Sequence, residues 1–113
     1  MERIEDVVLE AIESKKAEDI RIYDLRSLSP FVETMIVCST SNLRQNNAVV
    51  QAVRDALKEA GWQGPVHVEG RQDSRWILVD LGDVVVDVFV REERDYYGLD
   101  KLYRDVLVEK VHV

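Results

Sequence analysis

Apolar residues along this chain switch between a helical and a strand period. Ile4, Val7, Val8, Ala11 and Ile12 recur at three- and four-residue intervals, which predicts a helix from about Glu2 to Lys16. Ile20-Arg21-Ile22-Tyr23-Asp24-Leu25 alternates and reads as a strand, and Ser27-Leu28-Ser29-Pro30 turns the chain. Thr34-Met35-Ile36-Val37-Cys38-Ser39 is a run of apolar and small residues, the pattern of a strand buried on both faces. Ser41 or Asn42 can accept the free N–H groups of a following helix, whose apolar stripe is Leu43, Val49, Val50, Val53, Ala56, Leu57 and Ala60. Gly61 suits the left-handed position that ends it. Val66-His67-Val68 forms a short strand, Arg91-Glu92-Glu93-Arg94-Asp95 a helical turn, and Leu99, Leu102, Tyr103 and Val106 a last short helix. The tail from Val106 to Val113 is compatible with a longer helix, an edge strand or loose chain. With no internal repeat or linker-like segment, residues 1–113 form one α/β domain with a mixed sheet and flanking helices, in two or three layers.

The segment from Trp76 to Phe89 carries the most information. Two β-rich runs flank Gly82-Asp83, which fits a tight hairpin with glycine first in a type II′ turn. The implied opposed pairs are Leu81 with Val84, Asp80 with Val85, Val79 with Val86, Leu78 with Asp87, Ile77 with Val88 and Trp76 with Phe89. Side chains alternate along a strand, so one surface holds only Leu81, Val84, Val79, Val86, Ile77 and Val88. The other holds Trp76, Leu78, Val85 and Phe89, with Asp80 and Asp87 among them. A slip of one residue would mix the two sets, which argues for this register. Carboxylates on an apolar face are costly to bury alone. They suit contact with a basic protein, aromatic anchors at the centre and acids pairing with Lys or Arg. Alternatively helices cover this face too, with Asp80 and Asp87 taking backbone or cap hydrogen bonds.

Charge narrows the choice of partner. The formal net charge is −7, which disfavours a phosphate backbone and direct sequence-specific nucleic-acid binding, since those rely on clustered Lys and Arg. It favours a basic partner, or simply solubility. Apolar residues make up 46% and charged residues 33%, the balance of a folded domain rather than a disordered chain. Cys38 is the single cysteine, so no internal disulfide can form; a reducing, cytoplasmic setting and a buried apolar role are expected. Met1-Glu2-Arg3-Ile4-Glu5-Asp6 lacks the basic start and long apolar run of a secretory signal, and no membrane span is expected.

Most catalytic templates find no match. Cys38-Ser39-Thr40-Ser41-Asn42, between strand and helix, lacks the glycines and lysine of a phosphate loop. His67 and His112 sit on separate elements without neighbouring ligands, so they read as surface strand residues and not as metal ligands. Lys15-Lys16 suits the negative end of the first helix. The charged run from Arg91 to Asp95 reads as a solvated face with local ion pairs. Asp80, Asp83 and Asp87 could in principle hold Mg²⁺ for phosphoryl transfer, the alternative of a divergent nucleotidyltransferase. Asp83 lies in the turn, however, and no nucleotide-cradling loop accompanies the acids. No cofactor is expected and the chain reads as a non-enzyme.

Over nearly its whole length the chain resembles the ribosomal silencing factor (Iojap) family. The similar segments are Lys15-Lys16-Ala17-Glu18-Asp19-Ile20, Met35-Ile36-Val37-Cys38-Ser39, Arg44-Gln45 to Ala48, Trp76 to Phe89, and Glu92-Glu93-Arg94-Asp95-Tyr96-Tyr97-Gly98-Leu99. The family usually has His at Asp87, Tyr at Leu81, Asp-Tyr at Glu33-Thr34 and Trp at Tyr103. The resemblance implies a nucleotidyltransferase-like fold without an intact active site, and a translational repressor. That repressor would bind the large ribosomal subunit through its basic protein fourteen and sterically block subunit association, with homodimers possible; a role in large-subunit assembly without silencing is the other family-level reading. The contact residues expected from the hairpin are Trp76, Leu78, Asp80, Asp83, Val85, Asp87 and Phe89.

Overall fold

The computed structural model describes residues 3–111. Glu2, where the first helix was expected to start, and His112 lie outside them. Helix α1 spans Ile4–Ser14, strands β1 and β2 span Glu18–Asp24 and Thr34–Thr40, and helix α2 spans Leu43–Glu59. Strands β3, β4 and β5 follow at His67–Glu69, Trp76–Asp80 and Val84–Val90. The short helices α3 and α4 span Arg91–Tyr97 and Leu99–Leu102, a 3-10 turn covers Arg104–Val106, and β6 runs Leu107–Val111. The expected last helix is therefore split in two, and of the tail the described residues Leu107–Val111 form an edge strand.

Six strands form one sheet in the order β3-β4-β5-β2-β1-β6. Only β2 and β5 are parallel; the other neighbours are antiparallel. Every residue of β5 and all but the first of β2 are buried, as the unbroken apolar run of β2 demands for strands covered on both faces. The hairpin register is the one its alternation implies, from Trp76 opposite Phe89 to Asp80 opposite Val85. Gly82 has φ +90° at the corner, a backbone conformation that a side chain would oppose.

The aliphatic face of the hairpin packs under α1 and α2, where Ile77, Val79, Leu81, Val84, Val86 and Val88 join Val8, Ile12, Val49, Val53 and Leu57 in the main core. Asn42 caps α2 by accepting the Gln45 backbone N–H at 2.8 Å. Gln45 Oε1 accepts from Ser41 N–H at 2.7 Å, and its Nε2 donates to the Lys15 and Lys16 carbonyls. One side chain thus ties the start of α2 to the end of α1. Deeper in, fully buried Asn46 donates to the Val88 carbonyl at 3.2 Å and accepts from the Thr40 hydroxyl at 2.8 Å. This amide fastens α2 to the parallel strand pair; replacing it removes both bonds and leaves the Thr40 hydroxyl only the longer contacts, at 3.3 Å, to the Asn42 and Phe89 carbonyls. Asn46→Ala is expected to cost about 2–3 kcal/mol in urea denaturation; a loss below about 0.5 kcal/mol would show that the fastening contributes nothing.

Candidate functional site

The second face of the sheet is only half covered. Over its middle, Tyr23, Leu25, Met35, Val37, Val85 and Phe89 form a smaller core beneath Val32, Leu99, Tyr103, Val106 and Leu107. Toward the β3–β4 side that cover stops, and Trp76, Leu78 and Asp80 of β4 remain half-buried. The mixed hairpin face is therefore covered over its β5 half and left open over its β4 half.

The expected contact residues separate accordingly. Phe89 is 0% exposed and Asp87 1%, so neither is available to a partner in this structure, and Val85 is also buried. The sequence-based expectation that these three meet a partner is corrected: α3 and the chain beyond it lie over them. Phe89 instead supports the site from below, its ring stacked on Trp76 at 4.9 Å between centroids. Asp87 accepts a hydrogen bond from Trp76 Nε1 at 2.8 Å, fixing the indole from the other side. Asp80 Oδ1 accepts the Gly82 N–H at 2.9 Å, an Asx-type closure of the hairpin turn. Asp83 is exposed, while its carbonyl accepts from Glu33 and Thr34 N–H and so holds the turn against the start of β2. Among the described residues no group of three or more His, Cys, Asp or Glu is arranged to hold a metal ion.

Helix α3 adds aromatic surface that the hairpin pattern alone does not reveal. Tyr97 packs on Trp76 with centroids 4.6 Å apart, and Tyr96 meets Tyr97 edge-on at 5.3 Å. Tyr96 is 81% exposed, and Leu102 on α4 is 70% exposed. Consecutive tyrosines after a charged run were the available signal. The run is the expected solvated face, with Arg91 paired to Glu18 and Arg75 to Glu92 and Glu93 at the surface, except at Arg94, which is buried. Arg94 Nε and Nη2 donate to Asp100 at 2.8 and 3.0 Å, and Nη1 donates to the Asp19 carbonyl and Ser39 Oγ.

These environments set the titrations. Burial pushes the Asp87 carboxyl up to about 6, against the opposing pull of the Trp76 hydrogen bond. Burial would also raise Asp100, but hydrogen bonds from Arg94 and Tyr23 outweigh it and hold the group below its ordinary value. Burial pushes the Cys38 thiol up to about 12, so it is a packing group rather than a nucleophile. His67 stands on exposed edge strand β3, as expected.

The sign of the Asp87 effect follows directly. Unfolded Asp87 loses its proton near 3.8 and folded Asp87 near 6, so the folded state binds more protons between those values. Stability therefore falls as pH rises through that window and then levels off. Asp87→Asn, which can still accept from Trp76, is expected to exceed wild type by up to about 3 kcal/mol at pH 7.5. At pH 4, just above the unfolded value, the advantage should shrink to roughly 0.5 kcal/mol. Equal stability of the two proteins at both pH values, measured by urea denaturation, would contradict this account.

Comparison with known proteins places this arrangement. The family model described as "Ribosomal silencing factor during starvation" matches residues 1–113. A Bacillus subtilis protein named ribosomal silencing factor RsfS is 40% identical over 95 residues, covering 84% of this chain and 80% of its own length. One of the same name from Chromobacterium violaceum is 38% identical over 103 residues, 91% of this chain and 84% of its own. Among solved structures, an X-ray structure of a Chromobacterium violaceum protein superposes with TM-score 0.83 at 35% identity, covering 97% of this chain and 91% of that one. A crystal structure of a Bacillus halodurans protein gives 0.79 at 32%, covering 92% and 94%. The chain belongs to the ribosomal silencing factor family.

Proposed function

We propose that this protein represses translation without catalysis: it binds the large ribosomal subunit, through basic protein fourteen, and sterically blocks its joining to the small subunit in the cytoplasm. The family match across residues 1–113 carries the reading. The half-open face supports it. Trp76, Leu78 and Tyr97 offer apolar anchors, and Asp80 and Asp83 offer carboxylates to a cationic partner. Asp87 and Phe89 act from beneath, by holding the Trp76 ring in place. A net charge of −7 speeds encounter with a basic surface and opposes contact with bare RNA. Among the described residues no helix is long and apolar enough to cross a membrane.

Co-sedimentation with purified subunits, followed by a subunit-joining assay, tests the reading. Binding to the large subunit alone, weakened by added salt, and loss of joining are expected. Binding that follows naked ribosomal RNA would overturn the partner; a bound subunit that still joins would make the protein an assembly factor instead. Within the face, Trp76→Ala is expected to weaken binding by about 2 kcal/mol or more, roughly 30-fold, typical of a truncated anchor. Asp80→Asn keeps the acceptor for Gly82 N–H and removes only the charge, so its loss should be smaller than that of Asp80→Lys. Glu10→Lys on α1, behind the sheet, should bind like wild type. Should Asp80→Lys fold and bind unchanged, this face is not the contact.

A further inference from the structure

We propose that the buried Arg94–Asp100 pair is a positioning strut, which sets the pose of α3 and α4 so that Tyr96, Tyr97 and Leu102 extend the docking surface begun by Trp76. The inference rests on the docking reading above and adds to it the device that shapes the surface.

Helices of 7 and 4 residues have no stability of their own. Apolar contacts hold these two only in part: Leu99 packs on the smaller core and Tyr97 on Trp76, but Arg94 is the only buried residue of α3, and α4 has none. The guanidinium supplies the buried, directional part of the anchorage. It grips both Asp100 oxygens with Nε and Nη2, and with Nη1 reaches the Asp19 carbonyl at 2.6 Å and Ser39 Oγ at 2.8 Å. Tyr23 adds its hydroxyl to Asp100 Oδ1. One side chain thereby joins β1, β2, α3 and α4.

Two backbone irregularities fall within this network. Asp19 adopts φ +47° where the β1–β2 register shifts, and its carbonyl is the one that Arg94 takes. Gly98 adopts φ +66° between α3 and α4, where the chain changes direction and Asp100 comes back to Arg94. A non-glycine residue in that region is strained, and such strain persists only where the surroundings enforce it. Stability alone is a poor reason for the arrangement, because a buried ion pair commonly gains little over apolar side chains of similar volume. Fixed geometry is a better one. Tyr96 and Leu102 are largely exposed and would otherwise need ordering at the moment of binding, a cost that a rigid mount removes.

The test uses a Trp62→Phe background, which leaves Trp76 as the only tryptophan. Asp100→Asn should leave the protein folded, alter Trp76 emission as Tyr97 shifts against the indole, and weaken co-sedimentation with the purified large subunit at least tenfold. Tyr23→Phe removes a single hydroxyl and should act in the same direction, more weakly; it serves if Asp100→Asn does not fold. The decisive comparison is a double-mutant cycle with Tyr96→Ala. Tyr96→Ala should weaken binding in the parent and have little further effect in Asp100→Asn, since the strut acts through the residues it presents. Additive losses, or an Asp100→Asn protein of lower stability and unchanged affinity, would overturn the strut. Failure of the unmodified chain to sediment with the large subunit would instead overturn the docking reading.

Discussion

The parallel pairing of β2 and β5 at the middle of the sheet governs the rest of the structure. Parallel neighbours need a crossover, which α2, β3 and β4 supply, and their side chains are apolar on both faces, so both must be covered. The last two residues of β2 show how each layer is fastened. Thr40 points to one face and donates to Asn46 of α2; Ser39 points to the other and accepts from Arg94 of α3. Successive residues of one strand thus hold the two layers by buried polar contacts that demand defined geometry. The covering on the α3 side is the smaller, and it stops short of the outer strands. That shortfall, rather than any cavity, leaves Trp76, Leu78 and Asp80 half-open.

Asp87 shows how the fold reassigns a residue of the hairpin face: its carboxylate is 1% exposed and bonded to the Trp76 indole. Its charge is spent inside the domain, orienting an aromatic ring, and not on a partner. In the proposed docking the acidic contribution then falls to Asp80 and Asp83 at the turn, and the apolar one to Trp76, Leu78 and the tyrosines of α3. The surface is compact, with an aromatic centre and carboxylates at one end, a layout suited to a basic protein and ill suited to a nucleic-acid backbone.

Much of the fold was legible in the sequence because its signals are local. The hairpin register followed from period-two alternation on either side of Gly82, the buried strand from an unbroken apolar run, and α2 from its stripe and the Asn42 cap. The site was legible only in outline, because which half of a strand face is covered depends on elements distant in sequence. Nothing in β5 tells Phe89 from an exposed aromatic; that depends on α3 folding back over it. Arg94 was hidden for the same reason. Its partners Asp19 and Ser39 lie far away in sequence, and a charged run reads as solvated unless the acceptors that bury one member are known. The tail became a strand because β1 presents a free edge for it, a fact absent from the tail's own residues.

The central claim, that the half-open face carrying Trp76, Leu78 and the α3 tyrosines meets the large ribosomal subunit, is tested most directly by side-chain footprinting of the bound protein. Hydroxyl-radical oxidation of the protein, free and in complex with purified large subunits, reads the exposure of Trp76, Leu78, Tyr96, Tyr97 and, on the opposite side of the sheet, Trp62. The account predicts protection of Trp76, Tyr96 and Tyr97 on binding, with Trp62 oxidised as in the free protein. Protection of Trp62 together with unchanged oxidation of Trp76 and the two tyrosines would contradict it.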